Sequence, residues 1–352
     1  MRCLLAPVGI LFACTGENDR QTLDGDTDTD TDPPPCAVVA EELPDAGMAI
    51  WMSDPSDVWI VGADGAGDPG GPMLFHYDGT SWTDLETGGT GKLQWVWSDG
   101  GDEVWMVGQG AQVVRYARST GTFDVEVIAD PATVLWGLWG SSASDLWAVS
   151  GDPRGALVGE IHHFDGASWS VAYQAPTDQS YALFKVWGSA ADDVWAVGSY
   201  GLLVHYDGVS WTRQPAPEAN TQTMFTVHGA GSDDATAVGG AANGAAWHYD
   251  GTSWAVDSPP PTAIAPAWTG TFSHPTWGTV ACGAQQSIWW RASDERWTPD
   301  PRAIPTAASW KFHSCWIDDR GGVWATGGDL DSPALDHGVI AYCGDAAINP
   351  IE

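Results

Sequence analysis

The chain has 352 residues, of which 43% are apolar, and its 46 acidic and 13 basic residues give a formal net charge of −33. A surface this acidic repels phosphate groups, which excludes nucleic acid as a partner and excludes direct binding to anionic lipid headgroups. The 23 tryptophans can supply a large core, and the 43 glycines are typical of a chain with many tight turns.

The first 13 residues are predicted to be a signal peptide. Arg2 precedes an apolar run over residues 3–13, which is too short to span a bilayer. The run ends in Leu11-Phe12-Ala13-Cys14, which resembles the lipobox of bacterial lipoproteins. This resemblance implies that Cys14 is lipidated and, with Thr15 after it, that the protein is sorted to the outer membrane. Simple secretion with cleavage nearby is the alternative.

Residues 14–35 are predicted to be a disordered tether. Aspartates alternate with other residues over 24–32, and three prolines follow at 33–35. Carboxylates that repel one another and a proline run cannot bury a core, so this segment should be an extended spacer. It lacks the glycine turn and the terminal glutamate of a calcium-binding loop.

One phrase recurs through residues 36–345. Its clearest copy reads Val-Trp-Gly-Ser at 186–189, Asp-Val-Trp-Ala-Val-Gly at 193–198 and His-Tyr-Asp-Gly-Val-Ser-Trp at 205–211. The later copies are spaced by 42 or 43 residues, and seven copies fit the frame. Such a period predicts an all-β, seven-bladed β-propeller of four-stranded antiparallel blades, followed by a tail over 346–352. The closing aromatic residues of the copies are Trp82, Phe123, Trp169, Trp211, Trp254 and Trp297.

The clearest copy predicts four strands, over 183–188, 194–198, 202–206 and 210–213. The second strand is apolar on both faces, as expected of a strand buried between neighbouring blades. Asp207-Gly208 predicts a tight hairpin with positive φ at both central positions.

The two ends of the repeat region predict how the ring closes. The last copy ends after its third strand, and residues 36–41 read as the missing outer strand, so the N-terminal strand should complete the last blade. Cys36 and Cys343 would then lie opposite each other and form a disulfide. Cys282 and Cys315 fall in adjacent blades, and the sequence leaves two alternatives open for them: a disulfide, or two buried free thiols. An exported chain meets an oxidising compartment.

The turn Tyr206-Asp207-Gly208-Val209-Ser210-Trp211 resembles the Asp-box (BNR) repeat of sialidase-like propellers, and its Tyr and Trp are similar in position to the pair of kelch repeats. The whole phrase most resembles the repeat-rich secreted proteins and lipoproteins of bacteria. The turn has one residue fewer between Asp and Trp than the Asp-box, and it lacks the preceding Ser or Thr. In such repeats the Asp-box stabilises a hairpin, which implies a structural role for the recurring aspartate.

The long loops and blade connections are predicted to lie on one face, which we call the long-loop face; the short turns lie on the other. Loops carried on a rigid scaffold commonly bind ligands. Loops of the first and last copies, neighbours after closure, are rich in oxygen ligands that could hold calcium, and His337 is a candidate ligand-binding residue. A merely solvated acidic loop is the alternative reading. The candidate calcium ligands are Asp64, Asp68, Asp329, Asp331 and Asp336.

Motifs for catalysis are lacking. No arginine triplet recurs where a sialidase builds its carboxylate clamp, and no serine elbow, zinc-protease motif or phosphate loop occurs. His76, His163, His205 and His248 recur as part of the repeat. The sequence therefore predicts a monomeric, exported, lipid-anchored, non-catalytic propeller at the outer membrane, cell surface or periplasmic side, without a cofactor unless calcium binds. It would bind a protein or glycan through its long-loop face. A glycan-binding or sialidase-like glycan-hydrolysing propeller and an envelope assembly factor, similar to photosystem-assembly propellers, are the alternatives.

Overall fold

The computed structural model describes residues 36–63, 71–155, 157–178, 181–217, 222–259, 265–292, 296–302, 304–305, 310–332, 335 and 337–351. Within these ranges there is no helix of the length and apolar character needed to cross a membrane. Two single turns of 3-10 helix occur, Ser199–Gly201 and Ala284–Gln286. The strands, in chain order, are β1 (Ala37–Leu43), β2 (Gly47–Asp54), β3 (Asp57–Gly62), β4 (Leu74–Tyr77), β5 (Trp82–Asp84), β6 (Leu93–Trp97), β7 (Glu103–Gly108), β8 (Gln112–Ala117), β9 (Thr122–Val127), β10 (Leu135–Ser142), β11 (Asp145–Ser150), β12 (Glu160–Phe164), β13 (Trp169–Gln174), β14 (Leu183–Ala190), β15 (Asp193–Gly198), β16 (Leu203–Tyr206), β17 (Trp211–Arg213), β18 (Met224–Gly231), β19 (Asp234–Gly239), β20 (Ala245–Tyr249), β21 (Trp254–Val256), β22 (Trp268–His274), β23 (Gly278–Gly283), β24 (Ser287–Arg291), β25 (Trp297–Pro299), β26 (Lys311–Ile317), β27 (Val323–Gly328) and β28 (Gly338–Cys343).

The strands form seven four-stranded antiparallel sheets, which confirms the predicted seven-bladed propeller. Blades 1 to 6 are β2–β5, β6–β9, β10–β13, β14–β17, β18–β21 and β22–β25, and blade 7 joins β26, β27 and β28 to β1. The first strands of neighbouring blades contact one another and surround a central channel. We call these the inner strands.

Burial follows the order of strands within a blade. In blade 4, every residue of β15 after Asp193 is buried, whereas most of the outer strand β17 is exposed. The second strands pack between blades, which is why they are apolar on both faces. Each core cluster accordingly combines two blades; one of them joins Trp187 and Trp195 of blade 4 to Met224 and Trp247 of blade 5.

The hairpin between the last two strands differs from the predicted tight turn. Only Gly208 has positive φ, +85°, and Asp207 lies outside the left-handed region. The turn has four residues, and Oδ1 of Asp207 accepts the backbone N–H groups of Val209 at 3.0 Å and Ser210 at 2.8 Å. These backbone hydrogen bonds lower the pKa of the Asp207 carboxyl. The carboxylate therefore organises a longer turn in which one glycine suffices.

The N-terminal strand closes the ring as predicted. β1 pairs antiparallel with β28, with Val38 opposite Ala341. A disulfide joins Cys36 to Cys343, whose Cα atoms lie 4.1 Å apart. The tail that follows packs across the closure, because the backbone N–H of Ile351 donates to the carbonyl of Val39 at 3.1 Å.

The second cysteine pair has no bridge. Cys282 and Cys315 are buried free thiols, and they are hydrogen-bonded to each other. Of the two alternatives left open by the sequence, the structure has the free thiols, and the disulfide at Cys282 and Cys315 is absent. Burial, followed by the bond to Cys315, raises the pKa of the Cys282 thiol well above its ordinary value.

Candidate functional site

The recurring histidines belong to the repeat. Nε2 of His205 bonds the Asp193 carboxylate at 2.7 Å, and the imidazole stacks on Trp195 with ring centroids 4.0 Å apart. The same arrangement occurs in blades 1 and 3. Because the set recurs in three blades and joins the second strand to the third, it stabilises the blade.

Each inner strand carries one β-bulge near its start, just inside the long-loop face. In β14, for example, Leu183 and Lys185 pair with consecutive residues of β15, and Phe184 between them is unpaired. A bulge leaves one residue unpaired and redirects its side chain. These residues thus form a ring around one mouth of the channel. The bulged residues are Met48, Gln94, Trp136, Phe184, Phe225, Thr269 and His313.

A cavity of about 440 Å³ lies at this mouth, and six of the seven bulged residues line it. Trp136, Phe184 and Phe225 contribute aromatic side chains to its wall. Tyr200, in the loop between β15 and β16, and Pro153, in the loop between β11 and β12, also line it. The cavity has the volume and the largely apolar lining of a small-ligand pocket.

Lys185 also lines this cavity, at the residue after the blade 4 bulge. Only 4% of it is exposed, its Nζ donates a hydrogen bond to the Trp136 carbonyl at 3.0 Å, and Nζ lies 3.6 Å from the Trp95 ring centroid. Burial lowers the pKa of the Lys185 amine to about 7. A Cβ atom at Gly137 would lie 3.1 Å from both Cα and Cδ of Lys185. The small residue in blade 3 therefore makes room for the lysine.

Two further polar side chains line the cavity. The His313 ring donates from Nδ1 to the Met48 carbonyl at 2.6 Å, which leaves Nε2 as an acceptor in the neutral ring. Burial, and then the charge of Lys185, lower the pKa of His313 to about 4. Gln94 is 4% exposed, and its buried Oε1 has no hydrogen-bond partner. A buried acceptor in this state is uncommon in folded proteins.

The other end of the channel is aromatic. One residue near the end of each inner strand forms what we call the aromatic layer, around a cavity of about 90 Å³. Phe272 lies 4.0 Å from Trp316 and 4.2 Å from His228 by ring centroids. Burial lowers the pKa of His228 to about 3, and its Nδ1 accepts the backbone N–H of Ser273 at 3.1 Å. The aromatic layer comprises Trp51, Trp97, Trp139, Trp187, His228, Phe272 and Trp316.

The candidate calcium ligands are described only in part. Asp64, Asp68 and Asp336 lie outside the described residues, as does the predicted lipidation site Cys14. Within the described ranges, no group of three or more His, Cys, Asp or Glu side chains could hold a metal ion. Calcium binding by the loops therefore stays a prediction.

The described members of that set have partners within the protein. Oδ1 of Asp329 accepts the backbone N–H of Asp331 at 3.2 Å, and the Asp331 carboxylate bonds Nζ of Lys311 at 2.5 Å. The His337 ring bonds the Glu42 carboxylate through Nδ1 at 2.6 Å. Ring closure thus brings His337 to the N-terminal strand, away from the residues that line the cavity.

Lys185, Gln94 and His313 were not predicted from the sequence. Lys185 did carry a signal, because it interrupts an apolar inner strand at a position where most other copies have a small residue, as at Gly137 and Gly270. The side chains come from blades 4, 2 and 7, and no motif links them along the chain.

A second depression, of about 640 Å³, lies beside the C-terminal tail and the outer strand of blade 1. Its polar side chains include exposed Thr80, Ser81 and Asp84. None of its described lining residues is a buried ionisable group, so the channel mouth is the better candidate.

No protein-family model and no curated protein sequence matches the chain. Solved structures of similar fold include the WD40 beta propeller domain of Doa1, with a TM-score of 0.65 and 11% identity over 88% of this chain and 97% of that one. YCF48 from Cyanidioschyzon merolae has a TM-score of 0.64 and 12% identity over 88% and 99% of the two chains. For U3-55K the values are 0.63 and 10%, over 88% and 98%. The chain therefore shares the seven-bladed propeller fold of WD40- and YCF48-type proteins.

Proposed function

We propose that this protein is an exported, lipid-anchored, non-catalytic propeller that binds its partner at the long-loop mouth of the central channel. The observation that carries the proposal is the cavity of about 440 Å³, which combines apolar walls with a buried lysine. An apolar pocket with a few convergent polar groups is the common form of a ligand site.

The position of the site on the fold supports binding. Its lining residues come from the inner strands, which the blades hold rigidly, and from the loops above them. Binding residues on a rigid scaffold keep their geometry with little loss of conformational entropy when the partner arrives. The aromatic layer narrows the opposite end of the channel to a cavity of about 90 Å³, so a partner would enter from the long-loop face.

The charged groups argue against a sialidase-like activity. Such an enzyme needs three arginines around a substrate carboxylate, and none of the described residues that line the cavity is arginine. Among the arginines elsewhere, Arg118 bonds Asp57 at 2.7 and 2.9 Å, and Arg291 bonds Asp257 at 2.6 Å. These ion pairs join neighbouring blades and so serve the structure of the ring.

The predicted tether sets how far from the membrane the propeller could lie. If Cys14 is lipidated, the predicted spacer of residues 14–35 could extend to about 70 Å at the reach of an extended chain. That reach suits a module which contacts a partner beyond the lipid surface.

Site-specific photocrosslinking in intact cells tests the proposal. Tyr200 lines the cavity and is 40% exposed, whereas Val209 is 87% exposed in a turn of the opposite face. We expect a benzophenone side chain at position 200 to capture a defined partner and the same side chain at position 209 to capture none. Equal capture at both positions, or capture at 209 alone, would contradict binding at the channel mouth. The captured species also separates a protein partner, including an assembly complex, from a glycan.

A further inference from the structure

The cavity contains a buried cation that has no anionic neighbour among the described residues that line it. Lys185 is one of three lysines in the chain, and only 4% of it is exposed. None of the described residues that line the cavity is aspartate or glutamate. The chain has 46 acidic residues, yet the described lining of the cavity around this lysine contains no carboxylate.

An ammonium group in this position favours a carboxylate ligand. The Lys185 ammonium has three N–H donors. Among the described residues it donates one hydrogen bond, to the Trp136 carbonyl, and it also lies over the face of Trp95. A buried charge is costly unless it is paired and hydrogen-bonded. A ligand carboxylate would supply both the opposite charge and a strong acceptor.

Gln94 adds a second requirement. Its Oε1 is a buried acceptor without a partner, and Nε2 of His313 is an acceptor in the neutral ring. An ionised carboxylate cannot donate a hydrogen bond to either atom. The ligand should therefore carry an N–H or O–H donor close to its carboxylate.

The apolar walls set the third requirement. Trp136, Phe184 and Phe225 form an aromatic surface that an apolar side chain would cover. Burial of such a side chain contributes about 1.5–3 kcal/mol. An amino-acid residue with a free carboxylate, an acylated N–H group and an apolar side chain meets all three requirements.

We propose that the cavity binds a C-terminal apolar residue of a peptide chain, or the equivalent N-acyl amino acid, with its carboxylate on Lys185, its amide N–H on Gln94 and its side chain between Trp136, Phe184 and Phe225. This inference rests on the proposed function and names the ligand chemistry of the same site. The net charge of −33 means that the outer surface repels anions, so any affinity for this carboxylate must arise inside the cavity.

Calorimetric titration of the full chain in detergent tests the ligand chemistry. The probes are N-acetylphenylalanine, its uncharged amide, and 3-phenylpropionate, which keeps the carboxylate and lacks the N–H group. We expect N-acetylphenylalanine to bind at least ten-fold more tightly than either of the others, because the amide lacks the negative charge that would pair with Lys185 and 3-phenylpropionate lacks the N–H donor. Equal affinity for the acid and the amide would overturn the carboxylate assignment.

Two variants locate the binding. Lys185→Met keeps an unbranched side chain that is one atom shorter and removes the charge, and it should weaken binding of the acid by about ten- to a hundred-fold, with little effect on the amide. Lys311→Met removes a lysine that pairs with Asp331 outside the cavity and should leave both affinities unchanged. If Lys185→Met fails to fold, the ¹⁵N signals of the three lysines in the unchanged protein provide the test. The acid should shift the Lys185 signal and raise its pKa, and an unmoved signal would refute the proposal.

A further probe in the same titration distinguishes the two sources of the carboxylate, a protein C-terminus and a free N-acyl amino acid. Ala-Ala-Phe with a free C-terminus should bind more tightly than N-acetylphenylalanine if a protein C-terminus is the ligand, and no better if the ligand is a free N-acyl amino acid. Failure of this inference is distinct from failure of the proposed function. A partner captured at position 200, with no binding of any carboxylate probe, would refute the ligand chemistry and leave the binding face intact.

Discussion

Nζ of Lys185 lies 3.6 Å from the centre of the Trp95 ring, so a lysine of blade 4 meets a tryptophan of blade 2 within the channel. The aromatic face attracts the ammonium, but a cation–π contact contributes only about 2 kcal/mol when desolvated. The remaining desolvation cost explains why burial lowers the pKa of Lys185 to about 7.

The lowered pKa predicts how Lys185 affects stability. Between pH 7 and the ordinary value of 10.5, the unfolded chain binds a proton that the folded chain does not, so the Lys185 contribution to stability rises with pH across this window. Lys185→Met lacks this dependence. We expect the variant to be more stable than the parent by roughly 1–4 kcal/mol at pH 6.5, with the difference falling toward zero by pH 10. Denaturant unfolding of both proteins at pH 6.5 and pH 10 measures this difference in the free energy of unfolding. The same difference at both pH values would contradict the expectation.

His228 in the aromatic layer predicts acid sensitivity. Burial lowers its pKa to about 3, so between pH 6.5 and 3 the unfolded chain binds the additional proton and stability falls as the pH falls. His228→Phe removes this slope, although it also removes the acceptor of the Ser273 N–H at every pH. Relative to its own stability at pH 7.5, the variant should lose about 2 kcal/mol less than the parent at pH 5. Parallel losses in the two proteins would show that His228 titrates normally.

The closing disulfide should contribute strongly to stability. It joins residues 307 positions apart, and the chain-entropy model assigns such a loop a contribution of about 6 kcal/mol, of which measured disulfides often deliver less. Changing both Cys36 and Cys343 to serine should lower the melting temperature and leave the strand content unchanged, because β1 can still pair with β28. A reductant should lower the melting temperature of the parent and have no effect on the variant. An equal response of both proteins would exclude the bridge.

Cys282 and Cys315 should remain unreactive thiols in the folded protein. Burial raises the pKa of Cys282, and only the thiolate reacts with maleimide. We expect no labelling of either residue in the native state and full labelling of both in denaturant without reductant, read by peptide mass spectrometry. Protection that persists in denaturant would mean that the two are bridged after all.

The parts of the structure that the sequence predicted are periodic or local. The spacing of 42 or 43 residues determined the blade count, and the missing outer strand of the last copy pointed to β1 and to the disulfide of Cys36 with Cys343. The hairpin was predicted less well. The sequence predicts a turn with Asp207 and Gly208 at its two central positions, whereas in the structure the Asp207 carboxylate accepts two backbone N–H groups and organises a turn of four residues.

The candidate site was not predicted, for a physical reason. Gln94, Lys185 and His313 lie in different blades, and only ring closure brings them to one mouth. Two of the three, Gln94 and His313, are bulged residues, and a bulge depends on how two strands pair and not on a local pattern. The acidic loops were predicted as a calcium site because of their composition. In the structure, the described candidates Asp329, Asp331 and His337 bond to side chains and backbone of the protein itself.

The most direct test of the account is to locate a bound ligand. A crystal of the protein soaked with N-acetyl-4-bromophenylalanine should show an anomalous bromine peak between Trp136, Phe184 and Phe225, with the ligand carboxylate within hydrogen-bonding distance of Nζ of Lys185. A bromine peak elsewhere on the molecule, with ordered solvent alone in the channel mouth, would contradict binding at this site.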